Sequence, residues 1–396
     1  MKITQRAAKI TPSLTLEITA KAKKMKEDGI SVIGFGAGEP DFNTPEYIIN
    51  AAKKALDEGK TKYTPASGIP ELKKAICDKL LAENGLSYNP SQIIISSGAK
   101  NSLYNAIQAI VEDGDEVIIP APFWLTYPEL VSLSMGTCKY VYTKKENGYK
   151  MTAEELKNAI GPKTKLLIFN TPNNPTGAVY SEQEIREIAK VVEESGIYVI
   201  SDEIYEKLVY DGEKHFSIAA VSEAVKNQTI IINGVSKTYS MTGWRIGYLA
   251  CPENVAKAIG GMQSHTTSNP CTISQYATLA ALSGGKDFLE EMVQTFDKRR
   301  KYMVETLKKI EGIECIEPKG AFYTFVNVKN CIGKSFRGQK INGSLDFANY
   351  ALQKGIAVIP GGAFGADDCI RLSYAISMED IKEGLKRFAE FISEVQ

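Results

Sequence analysis

Histidine is scarce in this chain: only His215 and His265 occur among 396 residues, far apart in sequence. A multi-histidine metal site is thereby excluded and a Ser-His-Asp triad is poorly supported, so the main acid–base work falls to other side chains. Cysteine pairing is missing as well. Cys77, Cys138, Cys251, Cys271, Cys315, Cys331 and Cys369 form no C-x-x-C pair, and an odd, scattered set argues against a disulfide framework; they read as reduced thiols, mostly in cores. Charge of one sign is absent too. Lys plus Arg equals Asp plus Glu at 47 each, with no basic block or basic aromatic stripe, so neither nucleic acid nor an anionic membrane is an expected partner. No apolar run approaches a membrane span, and Met1 to Thr19 carries charges throughout without a signal-peptide core, which predicts a cytoplasmic protein. No internal repeat is visible. With 43% hydrophobic residues the chain can bury more than one core, and small-molecule chemistry becomes the leading class.

What is present is alternation. Short β-branched runs, Ile93-Ile95, Val117-Ile119, Tyr140-Tyr142, Leu166-Phe169, Tyr198-Ile200, Ile230-Ile232 and Ile246-Leu249, alternate with helical stretches such as Ser181 to Ser195, where Ile185, Ile188, Ala189 and Val192 fall at helical spacing. Strands separated by helices predict an α/β fold, a seven-stranded, mostly parallel sheet flanked by helices. Helices over Ile273 to Ser283, Phe288 to Ile310, Ser344 to Lys354 and Met378 to Ser393, with strands at Phe322-Val326 and Ile370-Ser373, predict a smaller α+β domain. The expected division is 1–44 for an N-terminal arm and part of the small domain, 45–290 for the large domain and 291–396 for the rest of the small domain. Ile332 to Gly343 reads as an exposed loop.

Four strand ends carry chemistry. Lys237 and Arg245 follow the buried run Thr229 to Ile232, at the sheet edge where α/β folds carry ligands. An amine able to form a Schiff base and a guanidinium able to fork onto a phosphate are what pyridoxal 5'-phosphate (PLP) requires; solvated surface charges would explain the same letters. Ser96-Ser97-Gly98-Ala99-Lys100 opens a helix, as a phosphate-binding turn or as an ordinary cap. Asn170 to Gly177 is a Pro-stiffened loop presenting Asn174, or simply a turn. Asp202 at the end of Tyr198 to Ile200 suits a pyridine nitrogen, with Tyr205 three residues on, and equally suits a helix cap. Arg371 lies in an apolar strand, where an unpaired guanidinium is costly, so it needs an anion, which a structural ion pair would supply.

Taken together, Gly36-Ala37-Gly38-Glu39-Pro40-Asp41-Phe42, Lys62-Tyr63-Thr64, Gly98-Ala99-Lys100, Phe123-Trp124, Asn174-Pro175-Thr176-Gly177, Asp202-Glu203-Ile204-Tyr205, Ser236-Lys237, Trp244-Arg245-Ile246-Gly247 and Arg371-Leu372-Ser373 resemble, in order, fold-type-I PLP-dependent aminotransferases. The resemblance implies that Lys237 binds PLP as a Schiff base, that Asp202 pairs with the pyridine nitrogen, and that Asn174 and Tyr205 bond the ring oxygen. It implies Trp124 stacked on the ring, and phosphate held by Gly98, Ala99 and Lys100, by Ser236 or a neighbour, by Arg245, and by Tyr63 reaching across a homodimer. One departure stands out. Many relatives carry a phosphate-binding serine two residues before the lysine, whereas here Gly234-Val235-Ser236 places none there.

The chain looks most like the bacterial and archaeal aspartate aminotransferase branch, on Pro12-Ser13-Leu14-Thr15 and on Lys100. That likeness implies Arg371 on the substrate's α-carboxylate, Lys100 with Ser13 and Thr15 on the distal one, and Gly38, Trp124 and Asn174 lining the substrate; amino acids and 2-oxo acids are the expected partners. Aromatic or broad-specificity aminotransferases share most of these motifs, and a PLP lyase shares the fold and cofactor residues. A transcription-regulator module would need a DNA-binding domain for which too few residues precede Gly36, and a non-catalytic phosphate binder gives Lys237 no purpose.

Overall fold

The computed structural model describes residues 2–396. All seven expected strands join one sheet: β1 Ile93–Ser96, β2 Glu116–Ala121, β3 Thr137–Tyr142, β4 Thr164–Asn170, β5 Tyr198–Asp202, β6 Thr229–Gly234 and β7 Gly247–Ala250. Their spatial order is β1-β7-β6-β5-β4-β2-β3. Strands β2 to β6 run parallel, and β7 is antiparallel to both of its neighbours, β1 and β6. Two antiparallel steps restore direction, so β1 ends on the same side as β2 to β6. Strands β1, at one edge of the sheet, and β6, inside it, are buried at every residue, which is why they read as unbroken apolar runs. Edge strand β3 buries none of its residues fully.

Helices cover the sheet, beginning with α1 Pro70–Asn84, α2 Ala99–Ile110 and α3 Glu182–Ser195. The start of α3 is fixed by a capping box: Ser181 Oγ accepts from the Glu184 amide at 3.3 Å while the Glu184 carboxylate accepts from the Ser181 amide at 2.8 Å. Gly196, with φ of 72°, ends it.

A second, antiparallel sheet has the order β10-β11-β9-β8, from β8 Glu314–Cys315, β9 Tyr323–Asn327, β10 Ile359–Pro360 and β11 Cys369–Ser373. Helices α4 Asp287–Leu307 and α5 Met378–Ser393 share a core with it through Phe296, Met303, Leu385 and Phe388. Ile33 and Phe35 belong to that same core, and Ile33–Gly34 pairs in parallel with Ile356–Ala357. The N-terminal segment is therefore packed with the C-terminal third of the chain. The expected division at 290/291 falls inside α4. One expectation is corrected: 332–343 is not simply an exposed loop. Ser335–Phe336 pairs with Gln339–Lys340, and Phe336 is fully buried against Phe391, ring centroids 5.1 Å apart. A single aromatic supplies the anchor that the Gly- and Lys-rich letters around it conceal.

Behind the end of β5 lies a buried ionic cluster. Glu206 accepts from the Lys79 ammonium of α1 and, at 3.0 Å, from Asn84 Nδ2, while Lys207 pairs with Glu83 at 2.8 Å. Glu203, Glu206 and His215 bring ligand-type atoms within 4.8 Å of one another, but the Lys79 ammonium already supplies the cation there. Burial alone would raise the Glu206 carboxyl; Lys79, Lys207 and His215 outweigh it and hold it at about 2. A folded-state value depressed below the ordinary carboxylate range contributes stability above that range and loses it as pH falls towards 2. Lys79→Met strands the carboxylate, and urea unfolding at pH 7 is expected to show a loss of about 3–5 kcal/mol. The deficit should shrink towards pH 5 as Glu206 takes up a proton. A deficit that does not change with pH would mean that lost packing, not charge, carries the effect.

Candidate active site

The carboxyl ends of β4, β5 and β6 open into one cavity of about 300 Å³. Asn170 and Asp202 are direct partners across β4 and β5, and β6 leads into Ser236 and Lys237. Gly247 of β7 sits between Ser96 of β1 and Gly234 of β6, so the Gly98 turn and Lys237 arrive on either side of it. This junction has no room to spare. A Cβ on Gly247 would lie 2.2 Å from the Ala99 amide nitrogen, and one on Gly98, whose φ is +93°, would lie 2.4 Å from Arg245 Nη2. Glycine at both positions lets the turn opening α2 pack against the guanidinium.

Of the expected residues, Ala99, Lys100, Trp124, Asn174, Asp202 and Tyr205 line the cavity, as do Ser236, Lys237, Arg245 and Arg371. Ser13, Thr15 and Gly38 close it from the N-terminal segment. Gly98 lies behind the wall, under Arg245. Tyr63 does not reach this cavity: its side chain is 90% exposed, on a loop held by Thr272 Oγ1 donating to the Lys62 carbonyl at 2.9 Å and Gln275 Nε2 donating to Thr64 Oγ1 at 3.0 Å.

Asn170 Nδ2 donates to the Asp202 carbonyl at 2.9 Å, and its Oδ1 accepts from the Asn174 amide at 3.0 Å. The side-chain oxygen of Asn174 is taken by Arg371 Nη1 at 2.9 Å, which leaves its NH2 group for a ligand. Arg371 is 2% exposed. It donates again to the Gly36 carbonyl at 3.3 Å, but its Nε has no partner among the described residues. Thr15 Oγ1 is likewise buried without a partner. Such orphaned donors at a cavity wall mark places where a ligand completes the bonding.

Two residues that bear on the site escaped the sequence reading. Tyr127 donates to Asp202 Oδ2 at 2.8 Å, and Tyr323 shares a 3.0 Å hydrogen bond with Tyr205. Neither carries a local signal in the sequence that sets it apart from an ordinary core tyrosine.

The family model for aminotransferases of class I and II matches residues 30–388. The chain belongs to that family. An aspartate aminotransferase from Bacillus sp. (strain YM-2) is 50% identical over 98% of this chain and 99% of its own. The aspartate aminotransferase structure from Rhizobium meliloti superposes with a TM-score of 0.97 at 42% identity, covering 100% of both chains. That of the Thermus thermophilus aspartate aminotransferase with maleate gives 0.93 at 40% identity, covering 99% of this chain and 100% of the other.

Electrostatics at this aminotransferase's cavity favour acid–base chemistry. Burial, with the guanidiniums of Arg245 and Arg371 adding to it and Glu39 and Asp202 opposing, pushes the Lys237 ammonium down to about 8. It donates to the Gly38 carbonyl. Burial raises the Asp202 carboxyl to about 6, against the Tyr127 hydroxyl and the Ile204 amide, which donate to it. Burial and then Arg245 lower Lys100, whose ammonium rests 4.9 Å from the centre of the Trp124 ring. An amine and a carboxyl shifted towards neutral pH in one cleft are characteristic of catalytic sites. No described helix is long and apolar enough to cross a membrane.

Proposed function

We propose that this aminotransferase transfers the amino group of L-aspartate to 2-oxoglutarate, giving oxaloacetate and L-glutamate, with PLP as cofactor, as a cytoplasmic homodimer. What carries the substrate class is a pair of cations at one cavity, Arg371 and Lys100, neither of which has a carboxylate partner among the described residues. Two unpaired cations suit a substrate with two carboxylates.

The cavity's donor set fits PLP. A glycine-forced turn packed on Arg245 suits the phosphate, the Asp202 carboxyl suits the ring nitrogen, and Lys237, lowered towards neutrality, suits the aldehyde. Bound there, PLP supplies an electron sink for the carbanion left at the substrate Cα. In this reading Asp202 holds a proton at the pyridine nitrogen, and Tyr127 holds Asp202. The Asn174 NH2 and the Tyr205 hydroxyl would donate to the ring oxygen, and Trp124 would lie against the ring. The backbone of the Gly98-Ala99-Lys100 turn, with Ser236 and Arg245, would surround the phosphate, and Tyr63, exposed on its own subunit, would serve the partner subunit's phosphate.

Arg371 forks onto the α-carboxylate, a fit that lysine does not reproduce. Lys100, with the hydroxyls of Ser13 and Thr15, takes the distal carboxylate, while Gly38 closes over the substrate. Lys237 Nζ would take the proton from the substrate Cα and pass it on to the cofactor carbon within the same half-reaction, the reverse giving the second substrate its Cα proton; because the amino group would stay on the cofactor between them, the two substrates alternate in ping-pong order. We assign 45–290 as the large domain and 1–44 with 291–396 as the small one, which closes over the substrate and excludes water.

Lys100→Met tests the substrate assignment. It removes one charge and keeps the side chain's length, so kcat/KM for aspartate is expected to fall roughly 10²-fold, the size of a lost charge-assisted contact. A neutral or aromatic amino acid should lose less than about threefold, because it never used that charge. Equal losses for both substrates would remove Lys100 from distal-carboxylate recognition.

A further inference from the structure

The cavity's carboxylate receptor and its ring-oxygen donor are joined by one side chain that neither the motifs nor the proposed chemistry employs. Tyr323 of β9 is 1% exposed. In the β9/β11 ladder Phe325 faces Arg371 and Tyr323 faces Ser373; residues two apart share a face, so Tyr323 stands diagonally from Arg371 on the same side of the sheet. Its ring lies 4.3 Å from the Arg371 guanidinium carbon, with the Phe364 ring 5.2 Å away. These two rings flank a buried cation that has no counter-ion among the described residues, and the ring quadrupoles offset part of its desolvation. Its hydroxyl meets only one partner among the described residues, Tyr205 at 3.0 Å.

With a ligand oxygen beside Tyr205, a proton inventory favours one direction for that bond. Each phenol owns one hydrogen. Both are buried, and burial raises both above the ordinary tyrosine value, so both stay protonated at neutral pH. If Tyr205 donated to Tyr323, the Tyr323 hydrogen would have no acceptor in the protein and Tyr205 would have no hydrogen left for a ligand. If Tyr323 donates to Tyr205, both hydrogens are used as soon as an oxygen sits beside Tyr205, and a donor chain of this kind strengthens its last member.

We propose that Tyr323 is a positioning residue which, by donating to Tyr205, turns the single Tyr205 hydrogen towards the cofactor's ring oxygen, and which by its ring face holds Arg371 ready for a carboxylate. One side chain then couples substrate recognition to the electronic state of the cofactor. This inference rests on the PLP reading of the cavity.

The test uses holoenzyme without amino donor: the pH midpoint of the bound cofactor's absorbance, and the Kd for maleate, a dicarboxylate with no amino group to react. A donor at the ring oxygen favours its anionic form, so weakening that donor moves the midpoint to higher pH. Tyr323→Phe, which keeps the ring, should raise the midpoint by about half a pH unit. Tyr205→Phe should raise it further, and the double variant should match Tyr205→Phe alone, because the first residue acts through the second. Maleate affinity should hold within about twofold in Tyr323→Phe and weaken about tenfold in Tyr323→Leu, where the ring face is lost.

A Tyr323→Phe midpoint equal to wild type while Tyr205→Phe shifts would overturn the proposal and leave the cofactor assignment intact. Additive shifts in the double variant would also overturn it. A wild-type protein that binds no chromophore would instead bring down the cofactor reading, and this inference with it.

Discussion

Lys237→Ala is expected to lower transamination of aspartate by at least roughly 10⁴-fold, because it removes the one amine placed to move the Cα proton. Asp202, Tyr205, Asn174 and Arg245 remain in the cavity wall, so the variant should still bind PLP, and wild-type-like turnover would sink the assignment of Lys237. Lys237→Arg should not restore activity, since a guanidinium stays protonated throughout the working range. The same substitution has a stability signature. The Lys237 ammonium is held at about 8, mainly by burial, below its value in the unfolded chain. For a cationic group lowered in the folded state, the cost is fully present below the folded value and vanishes above the unfolded one. Cofactor-free Lys237→Ala should therefore be more stable than cofactor-free wild type at pH 7, with the gap closing as pH rises through 8 and beyond. A variant less stable at pH 7 would mean that the lysine's packing outweighs its buried charge.

Arg371→Leu is expected to reduce kcat/KM for aspartate by roughly 10²–10³-fold, the range for removing one partner of a buried, hydrogen-bonded charge pair. Arg371→Lys should recover little, because the guanidinium's fork on Asn174 and Gly36 fixes the geometry in which a carboxylate is met. Burial lowers the Arg371 value, with Tyr323 and Tyr205 opposing, and its Nε has no partner among the described residues. A leucine there removes a charge kept at a cost, so the substrate-free variant should unfold at equal or higher urea concentration while failing to bind dicarboxylates. A strongly destabilised Arg371→Leu would mark the arginine as a structural group and not a receptor.

The seven-stranded sheet was legible because buried strands leave unbroken apolar runs, and Ile93-Ile94-Ile95 and Ile230-Ile231-Ile232 leave no alternative period to read. Lys237, Asp202 and Asn174 were legible because strand ends deliver them to one edge. Tyr323 and Tyr127 were not, since their roles exist only through contacts 118 and 75 residues away in sequence, and neither letter differs from an ordinary core tyrosine. The same distance separates letters from geometry at Asn174, whose side-chain oxygen meets Arg371 across 197 residues. Phe336 was hidden by its polar neighbours. Tyr63 is the opposite case: the motif named it, but its side chain is exposed outside the cavity, and the role proposed for it needs a second subunit, which one chain's packing does not supply.

The most direct test is a single half-reaction. Purified PLP-loaded protein mixed with L-aspartate alone should lose the absorbance of the bound aldehyde form, gain that of the amine form and release one oxaloacetate per site. The same spectral change with an aromatic or neutral amino acid, and none with aspartate, would contradict the dicarboxylate reading and the place given to Lys100 in it.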